Sequence, residues 1–286
     1  MIRKLIYTLL ALTLTVSGTV AQYHNQSATK HDQYKYCSNC GKPLNGENAH
    51  FCYTCEKYIP YWELNSSVLF NVGAMAPIPV PSPVKHIYTW YPNINPALNF
   101  TITRWMNSNW GLTTGITLEV KSFEATTKIE NMDINVVSDD ESGLGGHFTG
   151  FSNTDIKNNY FTIPLMATWR TNNQKLNLNF GLYGSFLMKG HFRQIIDGNL
   201  HVETIDKAVI DDPYDLDMDM SKFDFDDRIS NYDFGVRFDA EYYFTDRLSG
   251  IVGLRFGFTN TMKSSFDYMK YKMYNMFGCF GIGYRL

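Results

Sequence analysis

"YDFGVRFDAEYYFTDRLSGIVGLRFGFTN", residues 232–260, holds two stretches in which apolar and polar residues alternate with a period of two. In the first stretch, seven non-polar side chains fall on one face: Tyr232, Phe234, Val236, Phe238, Ala240, Tyr242 and Phe244. A soluble strand averages about five to six residues in total, whereas a membrane strand needs about 9–11. The length of this stripe therefore predicts a strand that crosses a membrane.

The same alternation recurs in seven other segments of the chain. Their apolar stripes lie within residues 68–72, 98–102, 112–120, 161–169, 176–188, 248–258 and 274–286. Together with residues 232–244 they make eight strands, which is an even number. The pattern predicts an all-β fold, with an eight-stranded antiparallel transmembrane β-barrel over residues 61–286.

The segments between the stripes alternate between short and long. "MNSNWG", "TNNQK" and "FTDRLS" are short turns, whereas residues 73–95, 124–157, 190–230 and 263–272 are predicted as longer loops. Short turns on one side and long loops on the other are typical of bacterial outer-membrane barrels. With both termini inside, the short turns are expected to face the periplasm and the long loops the exterior.

Energetics decides which face of each strand points into the barrel. A charged side chain at the lipid midplane costs about 2–4 kcal/mol, so Asp233, Arg237, Asp239, Glu241 and Arg255 are predicted to point inward. We expect them to pair with each other, with inward glycines leaving space for the long side chains. Eight strands enclose a space that side chains roughly fill, which predicts no wide open pore. The alternative is a soluble barrel or sandwich with the apolar stripes inside.

The first 21 residues have the three-part layout of a signal peptide. A basic start, Arg3 and Lys4, precedes a mostly apolar run over 5–16 and a small-residue end before Gln22. We predict cleavage after Ala21 and export of the chain. The alternative is a buried N-terminal helix. The net charge of −3 gives no support for general nucleic-acid binding.

Several stretches together resemble the PorT-like outer-membrane β-barrel family of Bacteroidota, over about residues 62–286. They are "NNYFTIPLMATWR" (158–170), "LNFGLYGSFLMKG" (178–190), the stretch 232–260 with its Asp-Phe-Gly start, and "FGIGYRL" (280–286). The resemblance implies an outer-membrane barrel in contact with lipid. The C-terminal strand also resembles the signal read by the barrel-assembly machinery, although Leu286 stands where an aromatic residue is usual. One family member is linked to protein secretion, a role that barrel similarity alone does not transfer.

"YCSNCGKPLNGENAHFCYTC", residues 36–55, carries two CxxC knuckles formed by Cys37, Cys40, Cys52 and Cys55. Four thiolates at this spacing suit a tetrahedral structural Zn²⁺ site. The stretch resembles a short bacterial zinc ribbon and predicts a periplasmic module over residues 22–60. Because the chain is exported, two disulfides are the alternative. The fifth cysteine, Cys279, alternates with lipid-facing residues and is predicted to point inward.

The segment 211–227 has eight aspartates. Its spacing does not follow the EF-hand pattern for Ca²⁺. A solvated external loop is the prediction, and its apolar residues suggest that it partly folds back over the barrel mouth: Tyr214, Leu216, Met218, Met220, Phe223 and Phe225.

The function predicted from the sequence is a non-enzymatic structural or interaction role in the outer membrane. The periplasmic module is a candidate docking site for a protein partner. One alternative is a small channel or transporter. The other is a lipid-modifying barrel enzyme, which needs a histidine beside a serine. The barrel-region histidines, His86, His147, His191 and His201, show no such spacing and are predicted to be loop or rim residues.

Overall fold

A computed structural model describes residues 40, 51–52, 57–58, 60–78, 84–137, 143–205, 208–263 and 272–286. The chain divides into two units, Met1–Tyr61 with Leu286, and Trp62–Arg285. In the first unit, the short strands β1 (Phe51–Cys52) and β2 (Lys57–Tyr58) pair antiparallel. The predicted signal peptide lies outside the described residues, as does most of the cysteine module.

The second unit is built almost wholly of strands. In chain order they are β3 (Tyr61–Pro77), β4 (Val84–Tyr91), β5 (Asn95–Trp105), β6 (Trp110–Val137), β7 (Gly143–Arg170), β8 (Leu176–Lys189), β9 (Phe192–Ile205), β10 (Ala208–Asp217), β11 (Ser221–Asp224), β12 (Tyr232–Tyr243), β13 (Leu248–Gly257) and β14 (Met273–Arg285). A short 3-10 helix, Asp226–Arg228, follows β11. Among the described residues, no helix has the length and hydropathy needed to cross a bilayer.

Eight strands close into a ring in the order β3-β5-β6-β7-β8-β12-β13-β14 and back to β3. All eight predicted strands take part, and each ring strand pairs with the next ring strand in the chain. The ring closes where β14 pairs antiparallel with β3. The predicted eight-stranded antiparallel barrel is therefore confirmed.

The outer wall is apolar, as the alternation predicts. On β12 every second side chain, from Tyr232 to Tyr242, points outward, while the intervening ones are buried. The wall also exposes Phe180, Leu182, Val252, Leu254, Phe280 and Ile282. Ten positions separate Tyr232 from Tyr242, and at about 3.3 Å per residue and a tilt of about 40° they rise about 25 Å. This height matches the apolar band of a membrane barrel.

The three predicted short turns lie together at the end of the barrel that also holds the C-terminal strand end. Each is closed by a backbone hydrogen bond, donated by the amides of Met106, Thr171 and Phe244 to the carbonyls of Trp110, Leu176 and Leu248. The amide of Arg285 donates to the Arg247 carbonyl at the same end. The short-turn side of the prediction is confirmed.

Most of the predicted long loops are strands, which corrects that part of the prediction. Beyond the ring, β6 and β7 continue as a hairpin, and β9 pairs with the outer part of β7. β10 and β11 pair with β9, and β4 pairs with β6. We name this sheet, formed by β4, β9, β10, β11, residues 124–137 of β6 and residues 143–156 of β7, the extension. It stands at the end of the barrel opposite the short turns.

Burial of apolar surface explains why these segments form strands rather than loops. The extension and the adjoining barrel rim share one buried apolar cluster: Met75, Phe123, Ile129, Met132, Ile134, Phe148, Ile156, Phe192, Ile196, Leu200, Val202, Met218, Ile229, Met262 and Met273. Leu187, which breaks the polar stripe of β8, packs against this cluster. The acidic segment contributes Met218 to this cluster, and its Leu216, Phe223 and Phe225 pack against it, so the predicted folding back is confirmed at these residues. Tyr214 and Met220 stay exposed.

Replacing Leu254 by arginine tests the assignment of the outer wall. Leu254 lies midway along β13 with 66% of its surface exposed. We expect Leu254→Arg to destabilise the barrel in lipid vesicles by about 2–4 kcal/mol, because the guanidinium must enter hydrocarbon. Denaturant unfolding in vesicles, followed by heat-modifiable electrophoretic mobility, measures the change.

The control is Val209→Arg on β10, where the side chain is 84% exposed and lies in the extension. This change is expected to alter the unfolding free energy by less than about 0.5 kcal/mol. Equal effects of the two substitutions would contradict a lipid-facing wall at Leu254.

Candidate functional site in the barrel lumen

The lumen is lined by charged side chains that the alternation directs inward. The buried charged residues of the barrel are Glu63, Glu119, Lys121, Arg170, Asp233, Arg237, Asp239, Glu241 and Arg255. All five predicted inward charges are among them, so their placement is confirmed. The other four were missed, although period two identifies them: Glu119, for example, lies between the outward-facing Leu118 and Val120.

Glu119 is the centre of a hydrogen-bonded network in the lumen, on the side of the extension. Its carboxylate accepts hydrogen bonds from Arg255 Nη1 at 2.6 Å and Thr162 Oγ1 at 2.8 Å. Asn71 Nδ2 donates to it from β3 at 3.2 Å, and Lys121 Nζ lies 3.4 Å away. These contacts tie β3, β6, β7 and β13 together across the interior of the barrel.

The expectation that the predicted charges pair with each other holds only in part. Arg237 and Asp239 do pair, with Nε 2.6 Å from Oδ2. Arg255, however, stands directly opposite Arg237 in the β12–β13 register. Since two like charges cannot pair, Arg255 reaches across the lumen to Glu119 instead.

Lys121 occupies a pocket of aromatic rings and is 1% exposed. Its ammonium lies 4.9 Å from the ring centre of Tyr160 and 5.3 Å from that of Tyr183, with Phe277 slightly farther away. Asp233 Oδ2 is 3.7 Å from Nζ and accepts a hydrogen bond from the Tyr183 hydroxyl at 2.9 Å. The cation is held by ring faces and two carboxylates rather than by direct hydrogen bonds.

Glycine leaves the space that this network needs. A Cβ on Gly253 would collide with the carboxylate of Asp239 and approach the Cys279 thiol. Cys279 is buried, which confirms its predicted inward direction, and its Sγ donates to Asp239 Oδ1 at 3.9 Å. The prediction that inward glycines accommodate long side chains is confirmed at this position.

A second charged cluster closes the lumen at the short-turn end. Arg170 Nη2 donates to both carboxylate oxygens of Glu63, at 3.0 and 2.7 Å. The Arg170 guanidinium stacks 3.6 Å above the Trp105 ring, and Trp105 Nε1 also donates to Glu63. Arg285, partly exposed, lies 3.4 Å from the same carboxylate.

The lumen therefore has little free volume between its two ends. A polar cavity of about 30 Å³ lies between the two charged clusters, lined by residues such as Asn99, Thr113 and Asn179. This is room for about one or two water molecules. At the opposite end, Met75, Phe123 and Met273 of the barrel rim belong to the apolar cluster shared with the extension.

The predicted metal site falls mainly outside the described residues. Cys37 and Cys55 lie outside them, and of Cys52 only the backbone is described. Cys40 is exposed, in a turn. Within the described ranges, no group of three or more His, Cys, Asp or Glu side chains is arranged to hold a metal ion. Zinc at the four cysteines stays a prediction.

The acidic segment uses part of its charge to hold the chain in place. Asp226 Oδ1 accepts a hydrogen bond from the Phe192 amide at 2.8 Å and lies 3.0 Å from His191 Nδ1. Partial burial by itself would raise the pKa of Asp226, but these two partners lower it below its usual value. Asp224 pairs with Arg193 at 2.8 Å. These contacts give the aspartates a structural role.

None of the four histidines hydrogen-bonds a serine hydroxyl within the described residues. His86 packs edge-on against Tyr88, and the other three contact carboxylates: His147 with Asp133, His191 with Asp226, and His201 with Asp215. All four lie beyond the apolar wall, in the extension or at its base. The lipid-hydrolase alternative therefore gains no support from this geometry.

Comparison with known proteins identifies a matching family. The family described as "Outer membrane protein beta-barrel domain" matches residues 60–263. The solved structure of Ail, the attachment invasion locus protein of Yersinia pestis, in complex with the heparin analogue sucrose octasulfate, is 10% identical, with a TM-score of 0.32. Neisserial surface protein A is also 10% identical, with a TM-score of 0.33. Each alignment covers 79% of this chain and 97% of the other. No curated protein gives a significant match.

Removing one partner of the buried Glu119–Arg255 pair tests the lumen network. We expect Arg255→Met to destabilise the barrel by about 3–5 kcal/mol, because it leaves a buried carboxylate without its closest cation. The double variant with Glu119→Gln is expected to be more stable than Arg255→Met alone, since it removes the uncompensated charge as well. Denaturant unfolding of the wild type, both single variants and the double variant gives the coupling energy. Strictly additive effects would show that the two side chains do not interact.

Proposed function

Because the chain belongs to the outer membrane protein beta-barrel domain family, we propose that it is a closed outer-membrane barrel with a structural or interaction role. The observation that carries this proposal is the filled lumen, in which the Glu119 and Glu63 clusters join opposite walls. A general channel would need a continuous path through that space. The barrel in this proposal is an anchor.

The extension is the part of the molecule that we assign to interaction. It projects beyond the apolar wall on the side opposite the short turns, which is the cell exterior if the termini lie in the periplasm. Its edge strands β4 and β10 carry many exposed side chains, among them Tyr88, Tyr91 and Val209. Exposed aromatic and apolar side chains on a rigid sheet suit contact with another macromolecule.

On the periplasmic side, we propose that the cysteine module is a docking site for a protein partner, held by Zn²⁺ at Cys37, Cys40, Cys52 and Cys55. The thiolate spacing supports zinc, and the oxidising compartment supports the disulfide alternative. The PorT-like resemblance is the finer family assignment. From the resemblance of the C-terminal strand to an assembly signal, we also propose that the barrel-assembly machinery binds this strand.

Surface labelling tests the proposed orientation. In a chain whose Cys37, Cys40, Cys52 and Cys55 are replaced by serine, a new cysteine is introduced as Val209→Cys in the extension or as Asp246→Cys in a short turn. A membrane-impermeant maleimide applied to intact cells is expected to label the first variant and not the second. Permeabilising the outer membrane should make both reactive. Labelling of Asp246→Cys alone on intact cells would show that the short turns, and not the extension, face the cell exterior.

Electrical recording tests the closed lumen. The purified chain, reconstituted into planar bilayers, is expected to give no discrete current steps, because side chains from opposite walls fill the interior. A general porin inserted under the same conditions is the positive control. Reproducible unitary openings would overturn the anchor proposal in favour of the channel alternative.

A further inference from the structure

Four titratable side chains form a row across the exposed face of the extension. In register from strand to strand, Asp133 of β6 pairs with His147 of β7, His147 with His201 of β9, and His201 with Asp215 of β10. All four side chains are at least about one-third exposed. Directly paired residues of neighbouring strands project on the same side of the sheet, so the two histidines stand side by side with an aspartate at each end.

The aspartates set the directions of the two imidazole rings. His201 Nδ1 is hydrogen-bonded to Asp215 Oδ1 at 2.7 Å, on the β10 side. His147 Nδ1 lies 2.8 Å from Asp133 Oδ1, on the β6 side, in a close contact that is not aligned as a hydrogen bond. The two nitrogens of an imidazole point in nearly opposite directions. Both Nε2 atoms therefore face the gap between β7 and β9.

A third possible ligand already lies at this gap. Glu203 follows His201 by two positions on β9, at the register shift of the β7–β9 pairing. Its Oε2 is 3.5 Å from His147 Nε2. Two tetrahedral ligands that each lie about 2.1 Å from a metal ion are about 3.4 Å apart, so this pair already has the separation that a shared ion needs.

Stability of the sheet does not explain two directly opposed histidines. Exposed ion pairs contribute little, about 0–1 kcal/mol, and when both imidazoles are protonated the like charges repel. A carboxylate on one imidazole nitrogen, on the other hand, fixes the ring and makes the other nitrogen a better metal ligand. The arrangement of the row is that of ligands with their orienting carboxylates.

We propose that His147 and His201, with Glu203 as a third ligand, bind a divalent ion of the zinc, copper or nickel class on the exposed face of the extension. Imidazole nitrogen is a preferred ligand of these ions, and water completes the coordination. In the free protein no three side chains of the described residues are gathered around one point. Binding therefore requires the exposed His201 side chain, whose Nε2 already faces the gap, to move closer to His147 and Glu203.

Copper binding to the full-length chain tests the site. The four N-terminal cysteines are replaced by serine, and His24, His31 and His50 by glutamine, so that neither thiols nor N-terminal imidazoles compete, and Cu²⁺ alone is the probe. We expect one tightly bound ion whose electron paramagnetic resonance spectrum shows two imidazole nitrogens. His147→Gln and His201→Gln should each weaken binding by about tenfold or more and leave one nitrogen in the spectrum. Glu203→Gln should weaken binding and keep two nitrogens.

The matched controls are His86→Gln and His191→Gln, which lie outside the row and should leave affinity and spectrum unchanged. Heat-modifiable electrophoretic mobility verifies that each variant is folded. A measurement without substitution in the row uses diethyl pyrocarbonate on the same background chain, where Zn²⁺ should protect His147 and His201 but not His86. Copper binding that survives the double variant His147→Gln/His201→Gln, or equal protection of all these histidines, would overturn the proposal.

Discussion

The pairing of β14, the last strand of the ring, with β3, the first, is the constraint on which the rest of the structure depends. β14 and β3 pair without interruption from Met273 opposite Pro77 to Arg285 opposite Asn65. Hydrocarbon offers no hydrogen-bond partner to a backbone amide or carbonyl, so an open edge at this seam would expose a row of unsatisfied groups to lipid. Only after closure can one face of every strand be apolar and the other polar. The outer wall and the charged lumen are both consequences of the closed ring.

Closure also creates the electrostatic problem that the lumen solves. The interior is too narrow for bulk water, and a charge buried there is costly unless it is paired. The chain places cations against carboxylates from other strands, as in Arg255 with Glu119 and Arg170 with Glu63. Lys121 also has three aromatic rings around it. At Gly253 the absence of a side chain leaves room for the Asp239 carboxylate. The lumen packs like a core, although most of its contacts are polar.

The strands and their faces could be predicted from the sequence, because lipid imposes a strict period of two that charged residues cannot break. The partners across the lumen could not be predicted, because they depend on the stagger of the strands. Arg255 is predicted to pair with another of the inward charges of β12 and β13, but the register sets it against Arg237. The extension was missed for another reason. β6 has a bulge between Ile129 and Met132, with Asn131 at a φ of 55°, and this bulge interrupts the alternation. On β9 the alternation from Phe192 to Val202 is regular, but it lies in a segment that the short-turn and long-loop pattern assigns to a loop.

The filled lumen and the apolar wall decide where function can reside. The wall has lipid as its partner, and the lumen satisfies most of its own charges, so neither presents free chemistry to another molecule. Among the residues that the structure describes, what is left lies outside the membrane, in the extension. The histidine row belongs to the extension because the two strands that carry it, β7 and β9, are paired only beyond the ring. A barrel of this kind fixes a small rigid sheet at a defined height above the bilayer. The chemistry of that sheet can therefore change without any change to the lipid-facing strands.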